Sequence, residues 1–205
     1  MANSGDQVTI QSDIGASVPQ SGRRMARMIA ENLDRVIQSR GVAVVILDAS
    51  PILAECYRQL CEEEEVSWTR VVGFQLSEWR GRAESDPDGG RRMLLDSLVC
   101  RVPMAEFHGL RGEAANLAAV CANYQSLLER RPPDLAVVAF GVDGRIGTPP
   151  IEDSVVGERV LCQPDSIGLT YGALVECRRI FAVIGEGGRR GEQPFPPCFS
   201  LFDRN

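Results

Sequence analysis

No apolar run in this 205-residue chain approaches the roughly 20 residues that a membrane-spanning helix needs; the longest are Val42–Leu47 and Leu135–Val142. The first sixteen residues are polar and contain no apolar signal core. The seven cysteines are scattered, odd in number and never spaced C-x-x-C, which excludes a zinc site of that type. Several of them fall at apolar positions of expected helices and strands, where free cysteine acts as a small hydrophobe. There is one histidine, His108, with no partner in sequence to position it, so it reads as structural. No Lys/Arg-rich stripe with interleaved aromatics occurs, and the net charge of -6 gives no pull towards nucleic-acid phosphates or an anionic membrane. These absences leave the cytosol as the expected location, with neither nucleic acid nor membrane as partner.

What remains has globular composition, 44% hydrophobic and 24% charged. Its length suits one domain, read as 21–205 after a polar N-terminal segment 1–20. From Ser21 to Arg40, apolar residues at Met25, Met28, Ile29, Leu33, Val36 and Ile37 follow helical spacing, and Gly41 stops the helix. Val42–Leu47 reads as a strand buried on both faces. Asp48-Ala49-Ser50-Pro51 then turns into a helix whose stripe is Ile52, Leu53, Cys56, Tyr57 and Leu60.

The pattern continues with a strand at 70–76, a polar loop at 77–90, a helix at 91–100 and an extended stretch around Phe107. A helix over 113–130 ends at Pro132-Pro133, and a strand covers 135–140. A short helix at 169–177 and strands at 180–184 and 199–202 complete it. Alternation of this kind predicts an α/β fold, a doubly wound and largely parallel sheet with helices on both faces.

Ligands of such sheets bind outside the carboxyl ends of the strands. Four loops qualify: 48–51, 77–90, 141–150 and 185–191. The first exposes a helix N-terminus, which favours an anion, but Asp48 adds negative charge and Ser50 is also accounted for as a simple cap. In the third, Gly141 and Gly144 flank Asp143 directly after a buried strand and present Asp143 and Arg145; an ordinary left-handed turn is the competing reading. The fourth carries Arg189 and Arg190 among glycines, as a solvated loop would.

The stretch 107–150, FHGLRGEAANLAAVCANYQSLLERRPPDLAVVAFGVDGRIGTPP, resembles the sugar-phosphate isomerase family of glucosamine-6-phosphate deaminase and 6-phosphogluconolactonase. WTRVVGFQLSEWRG (68–81), RVPMAEFH (101–108), IGLTYGALVECRRIFAVIG (167–185) and the terminal SLFDRN match it in the same order. The resemblance implies a Rossmann-type fold, a phosphorylated sugar as ligand, room for a homo-oligomer, and no metal or organic cofactor. It also exposes departures. In the deaminases an acidic pair supplies the carboxylate that moves a proton between sugar carbons; here the pair reads Ser77-Glu78. The family's Gly-x-(Asp/Asn)-Gly-His carries Arg145 where the histidine stands, and arginine stays protonated and cannot shuttle a proton. A later acidic residue is lost in a short deletion around Thr148. The Gly/Ser/Thr-rich phosphate loop has become Asp48-Ala49-Ser50-Pro51, and a family lysine falls near Gly188, beside Arg189.

Two readings follow. In one, the chain is an isomerase- or hydrolase-type enzyme in carbohydrate metabolism, with Asp143, Glu78 and Arg145 as catalytic residues and Ser50, Ser77, Gly141, Gly144 and Arg189 binding the ligand. In the other it is a catalytically silent relative, binding a sugar phosphate or serving as a protein scaffold. Within the loop, Arg145 is expected either to clasp an anion or to pair with Asp143 or Glu78.

Overall fold

The computed structural model describes residues 9–12, 18–141, 143–152 and 158–184. In chain order its elements are β1 (Thr9–Ser12), α1 (Val18–Arg40), β2 (Ala43–Leu47), α2 (Ala54–Leu60), β3 (Val71–Gln75), β4 (Ser77–Trp79), α3 (Gly90–Ser97), β5 (Glu106–His108), α4 (Leu117–Arg130), β6 (Leu135–Phe140), β7 (Val160–Cys162), β8 (Ser166–Leu169), α5 (Tyr171–Val175) and β9 (Arg179–Ile184). Six of the strands form one sheet in the order β1-β9-β6-β2-β3-β5, and every pairing in it is parallel. The four strands expected from apolar runs all lie in this sheet.

Strand alternation divides the core into two layers. Val44, Ile46, Ala136, Val138 and Phe140 pack on one face with Tyr124 and Leu128 of α4 and Ala173 and Leu174 of α5. Val45, Leu47, Leu135 and Val137 pack on the other with α1, α2 and Leu94 of α3. Residues of β2 and β6 are buried on both faces, which is why those segments read as unbroken apolar runs rather than alternating ones. Asp134 ties the amino ends of the two strands together. Its Oδ2 accepts the Val44 backbone N–H at 2.9 Å, and its other oxygen pairs with Arg40.

Several boundaries differ from the sequence expectation. The first helix begins at Val18, three residues before Ser21, and the stretch read as a polar N-terminal segment contains β1, whose backbone pairs with β9. Ser77, read as the start of a polar loop, opens β4. That strand joins β8 and β7 in a separate antiparallel sheet of three. The fourth helix starts at Leu117 because Asn116 caps it, accepting the Ala119 N–H at 3.0 Å. Arg189 and the expected strand at 199–202 lie outside the described residues. Among the described residues no helix is long and apolar enough to cross a membrane.

Candidate functional site

The chain leaves β2 towards β3 on one side and reaches β6 on the other, so the carboxyl ends of β2 and β6 mark the switch point of the sheet. At this point stands Asp48, fully buried. Its Oδ1 accepts the Ser50 N–H at 3.0 Å and its Oδ2 the Ala139 N–H at 2.8 Å. The Thr148 N–H also donates to this carboxylate. The Ser50 hydroxyl lies 2.9 and 3.0 Å from the two carboxylate oxygens and 2.9 Å from Thr148 Oγ1, which closes the loop after β2 onto the loop after β6. The result is a cradle of three backbone N–H groups and a hydroxyl around an anion that the chain supplies itself.

Ser77 and Glu78 occupy the next part of this edge. Ser77 Oγ donates to the Pro149 carbonyl at 2.7 Å. Glu78 is 1% exposed and all of its acceptor directions are used. Oε1 accepts from Trp79 N at 2.8 Å and Gly90 N at 3.0 Å; Oε2 accepts from Arg91 N at 2.6 Å and Gln75 Nε2 at 2.9 Å. Gly90 and Arg91 open α3, whose own cap position, Gly89, offers no side chain. Glu78 therefore serves as a charged acceptor for the orphan N–H groups of that helix. Gly90 permits the approach, since a Cβ there would stand 2.9 Å from the Ala49 Cβ.

Loop 141–150 holds the exposed part of the site. Gly141 N donates to the Arg145 carbonyl at 2.8 Å, Gly144 N to the Gly141 carbonyl at 3.0 Å, and Arg145 N to Asp143 Oδ1 at 3.1 Å. Gly144 has φ of 77°, which the turn requires of a glycine, and a Cβ on Gly141 would come within 2.7 Å of Asp143 Oδ1 and displace that carboxylate. The Arg145 side chain corrects the expectation from sequence. It pairs neither with Asp143 nor with Glu78 but lies 3.5 Å from Glu152, the two side chains being 54% and 46% exposed.

The structure thus joins Ser50, Ser77 and Glu78 to the strand ends through buried bonds and leaves Asp143 and Arg145 on the outer rim. Sequence reasoning missed Asp48, Thr148 and Glu152 as members. The Asp-x-Ser spacing, which allows an aspartate to accept the N–H two residues on, was a local signal for the first. Among the described residues no group of three His, Cys, Asp or Glu could hold a metal ion.

No protein-family model matches the chain. Among curated proteins, the glucosamine-6-phosphate deaminase of Streptococcus sanguinis is 27% identical over 128 residues, which are 62% of this chain and 52% of that protein. The deaminase of Listeria monocytogenes is 29% identical over 117 residues, 57% and 50% of the two chains. Of the solved structures, a 6-phosphogluconolactonase from Shewanella baltica superposes with a TM-score of 0.71 at 18% identity, covering 88% of this chain and 83% of the other. A monomeric glucosamine-6-phosphate deaminase gives 0.70 at 15% identity, covering 88% and 98%. The chain resembles glucosamine-6-phosphate deaminases in sequence over part of its length and shares its fold with a deaminase and a 6-phosphogluconolactonase. It spans about half the length of the curated relatives it matches.

Burial dominates the chemistry of Asp48. Desolvation raises its pKa from 3.8 to about 6, although its bonds to Ala139, Ser50 and Thr148 each lower it. The unfolded chain releases that proton near pH 4 and the folded chain near pH 6, so between these values the folded state binds more protons. Stability from this group is then greatest below pH 4 and falls as pH rises through 6. A shift of about two units corresponds to roughly 3 kcal/mol. Relative to Asp48→Asn, wild-type unfolding free energy is expected to decline by up to this amount between pH 4 and pH 7. Chemical denaturation of both proteins across the range measures it, and parallel curves would refute it.

Proposed function

We propose that this chain has given up the proton-transfer chemistry of its relatives and acts by binding, with the Asp143–Arg145 rim facing an anionic ligand of the phosphorylated-sugar class. The observation that carries this reading is the state of Glu78: a carboxylate with four donors on it and no exposed oxygen is a structural anion, unsuited to collecting a proton from a sugar carbon. Arg145 supplies positive charge at the carboxyl edge of the sheet, in a 3.5 Å contact with a half-exposed glutamate, and its guanidinium matches a phosphate in a two-pronged bond.

A second reading, the protein scaffold, is favoured by Asp48. Its carboxylate already fills the N–H cradle at the switch point, and a phosphate approaching that cradle would meet like charge.

Calorimetry with glucosamine 6-phosphate and with 6-phosphogluconate separates the two. For a ligand-binding rim, Arg145→Ala is expected to weaken binding by about 1.5–3 kcal/mol, the worth of a hydrogen bond to a charged group. The same substitution should alter folding stability by less than about 1 kcal/mol, because exposed ion pairs contribute little. Absence of heat with the wild-type protein would reject sugar-phosphate binding in favour of the scaffold.

A further inference from the structure

The amino ends of the parallel strands form the edge opposite the candidate site, and a cavity of about 360 Å³ opens there between the sheet and the end of α4. Its floor is an apolar strip, Val44 of β2 and Val72 of β3 with Val42 and Ala105 beside them. Among the described residues only Val42 and Val175 are large hydrophobics with exposed side chains, and Val42 is the more open at 44%.

Three arginines line this one cavity, in a chain whose net charge is -6. Two of them are already committed. Arg40 pairs with the buried Asp134, which also accepts the Val44 N–H, and Arg131 lies 2.7 Å from Glu106 Oε1. The other Glu106 oxygen stands 3.3 Å from His108 Nε2. Arg130 is the surplus. Its Nε donates to the Ser126 carbonyl at 3.2 Å within α4, and among the described residues no carboxylate pairs with its two terminal nitrogens. Arg40, Arg130 and Arg131 against Glu106 and Asp134 leave the cavity positive by one charge, and that charge belongs to Arg130.

We propose that this cavity is a second ligand site, separate from the Asp143–Arg145 rim, and that it takes a small organic phosphate with an apolar body. The phosphate meets Arg130, whose terminal nitrogens present a fork that matches two phosphate oxygens. The body covers Val42 and the strip behind it, removing exposed apolar surface from water. A volume at the lower end of the ordinary range for small-molecule pockets, roughly 300–1,000 Å³, limits that body to a single ring or a short chain. The carbonyl end of α4 holds cations and opposes an anion, so affinity rests on the guanidinium and not on the helix.

The test is amide NMR of the whole chain titrated with phenyl phosphate, and with inorganic phosphate as the head group alone. Expected are saturable shifts at Val42, Val44, Ala105, Glu106 and Arg131, and weaker binding of inorganic phosphate. Arg130→Ala should raise the Kd for phenyl phosphate at least about tenfold, the effect of losing a hydrogen bond to a charged group. Arg130 is exposed, so the variant keeps its fold, which its unchanged spectrum away from the cavity checks. Val42→Ser should weaken phenyl phosphate and leave inorganic phosphate unchanged. Arg145→Ala, at the other end of the strands, should leave the shifts at these five amides in place, so the two sites are scored separately. The proposal is overturned if these amides do not shift at millimolar probe, if Arg130→Ala binds as tightly as wild type, or if the two probes bind equally well.

Discussion

Glucosamine 6-phosphate incubated with the purified chain is expected to release ammonia at a rate at least about 10⁴-fold below that of a working deaminase of the same fold. Positioned general acids and bases contribute roughly 10²–10⁴-fold each, and the sequence resemblance implies that two such groups are replaced here, a carboxylate by Ser77 and an imidazole by Arg145. Substitutes are scarce. The sequence contains no lysine, so every one of its 22 basic residues is an arginine, which stays protonated. The single histidine packs against Phe74 with ring centroids 4.7 Å apart, beside Glu106, and burial lowers its pKa. At the rim Asp143 is exposed, and Glu152 is half-exposed beside Arg145. Coupled enzymatic detection of ammonia provides the measurement. A rate within about tenfold of a working relative would mean that Asp143 has taken over proton transfer, and Asp143→Asn would then remove it.

The parts of the fold that were legible in the sequence are those fixed by local pattern. Val44 to Leu47 and Leu135 to Phe140 are apolar at every position, and a segment that must be covered on both faces can satisfy that need only inside a two-sided sheet. β4, β7 and β8 were missed because their strand character comes from each other. Ser77-Glu78-Trp79 pairs with Ser166-Ile167-Gly168, and nothing within three such residues distinguishes a strand from a polar turn. The site divides in the same way. Gly141, Asp143 and Gly144 were readable because the turn they make is closed by its own backbone. The role of Asp48 was not, since two of its donors, Ala139 and Thr148, are brought to it only by the pairing of β2 with β6. Arg145 faced the same ambiguity: its partner Glu152 arrives after the turn has folded back, so proximity in sequence to Asp143 pointed to the wrong carboxylate.

Glu78→Ala is expected to be the most destabilising single substitution at this site, costing about 3–5 kcal/mol in unfolding free energy, the range for removing one partner from a buried charged network. Four donors lose their acceptor together: the backbone N–H groups of Trp79, Gly90 and Arg91, and the Gln75 amide. The damage should spread, because Gln75 also donates to the Ser77 carbonyl and accepts the Leu110 N–H, joining the site edge to the segment after β5. Glu78→Gln keeps the volume but turns an N–H towards donors, so it should lie between wild type and alanine. Asp143→Ala, which removes one exposed 3.1 Å bond, should cost less than about 1 kcal/mol. Guanidinium denaturation of the four proteins gives the comparison. A residue kept for catalysis commonly sits at a cost to stability, and its removal is neutral or stabilising; Glu78→Ala within about 1 kcal/mol of wild type would therefore return Glu78 to the catalytic role and reject its assignment as the anchor of α3.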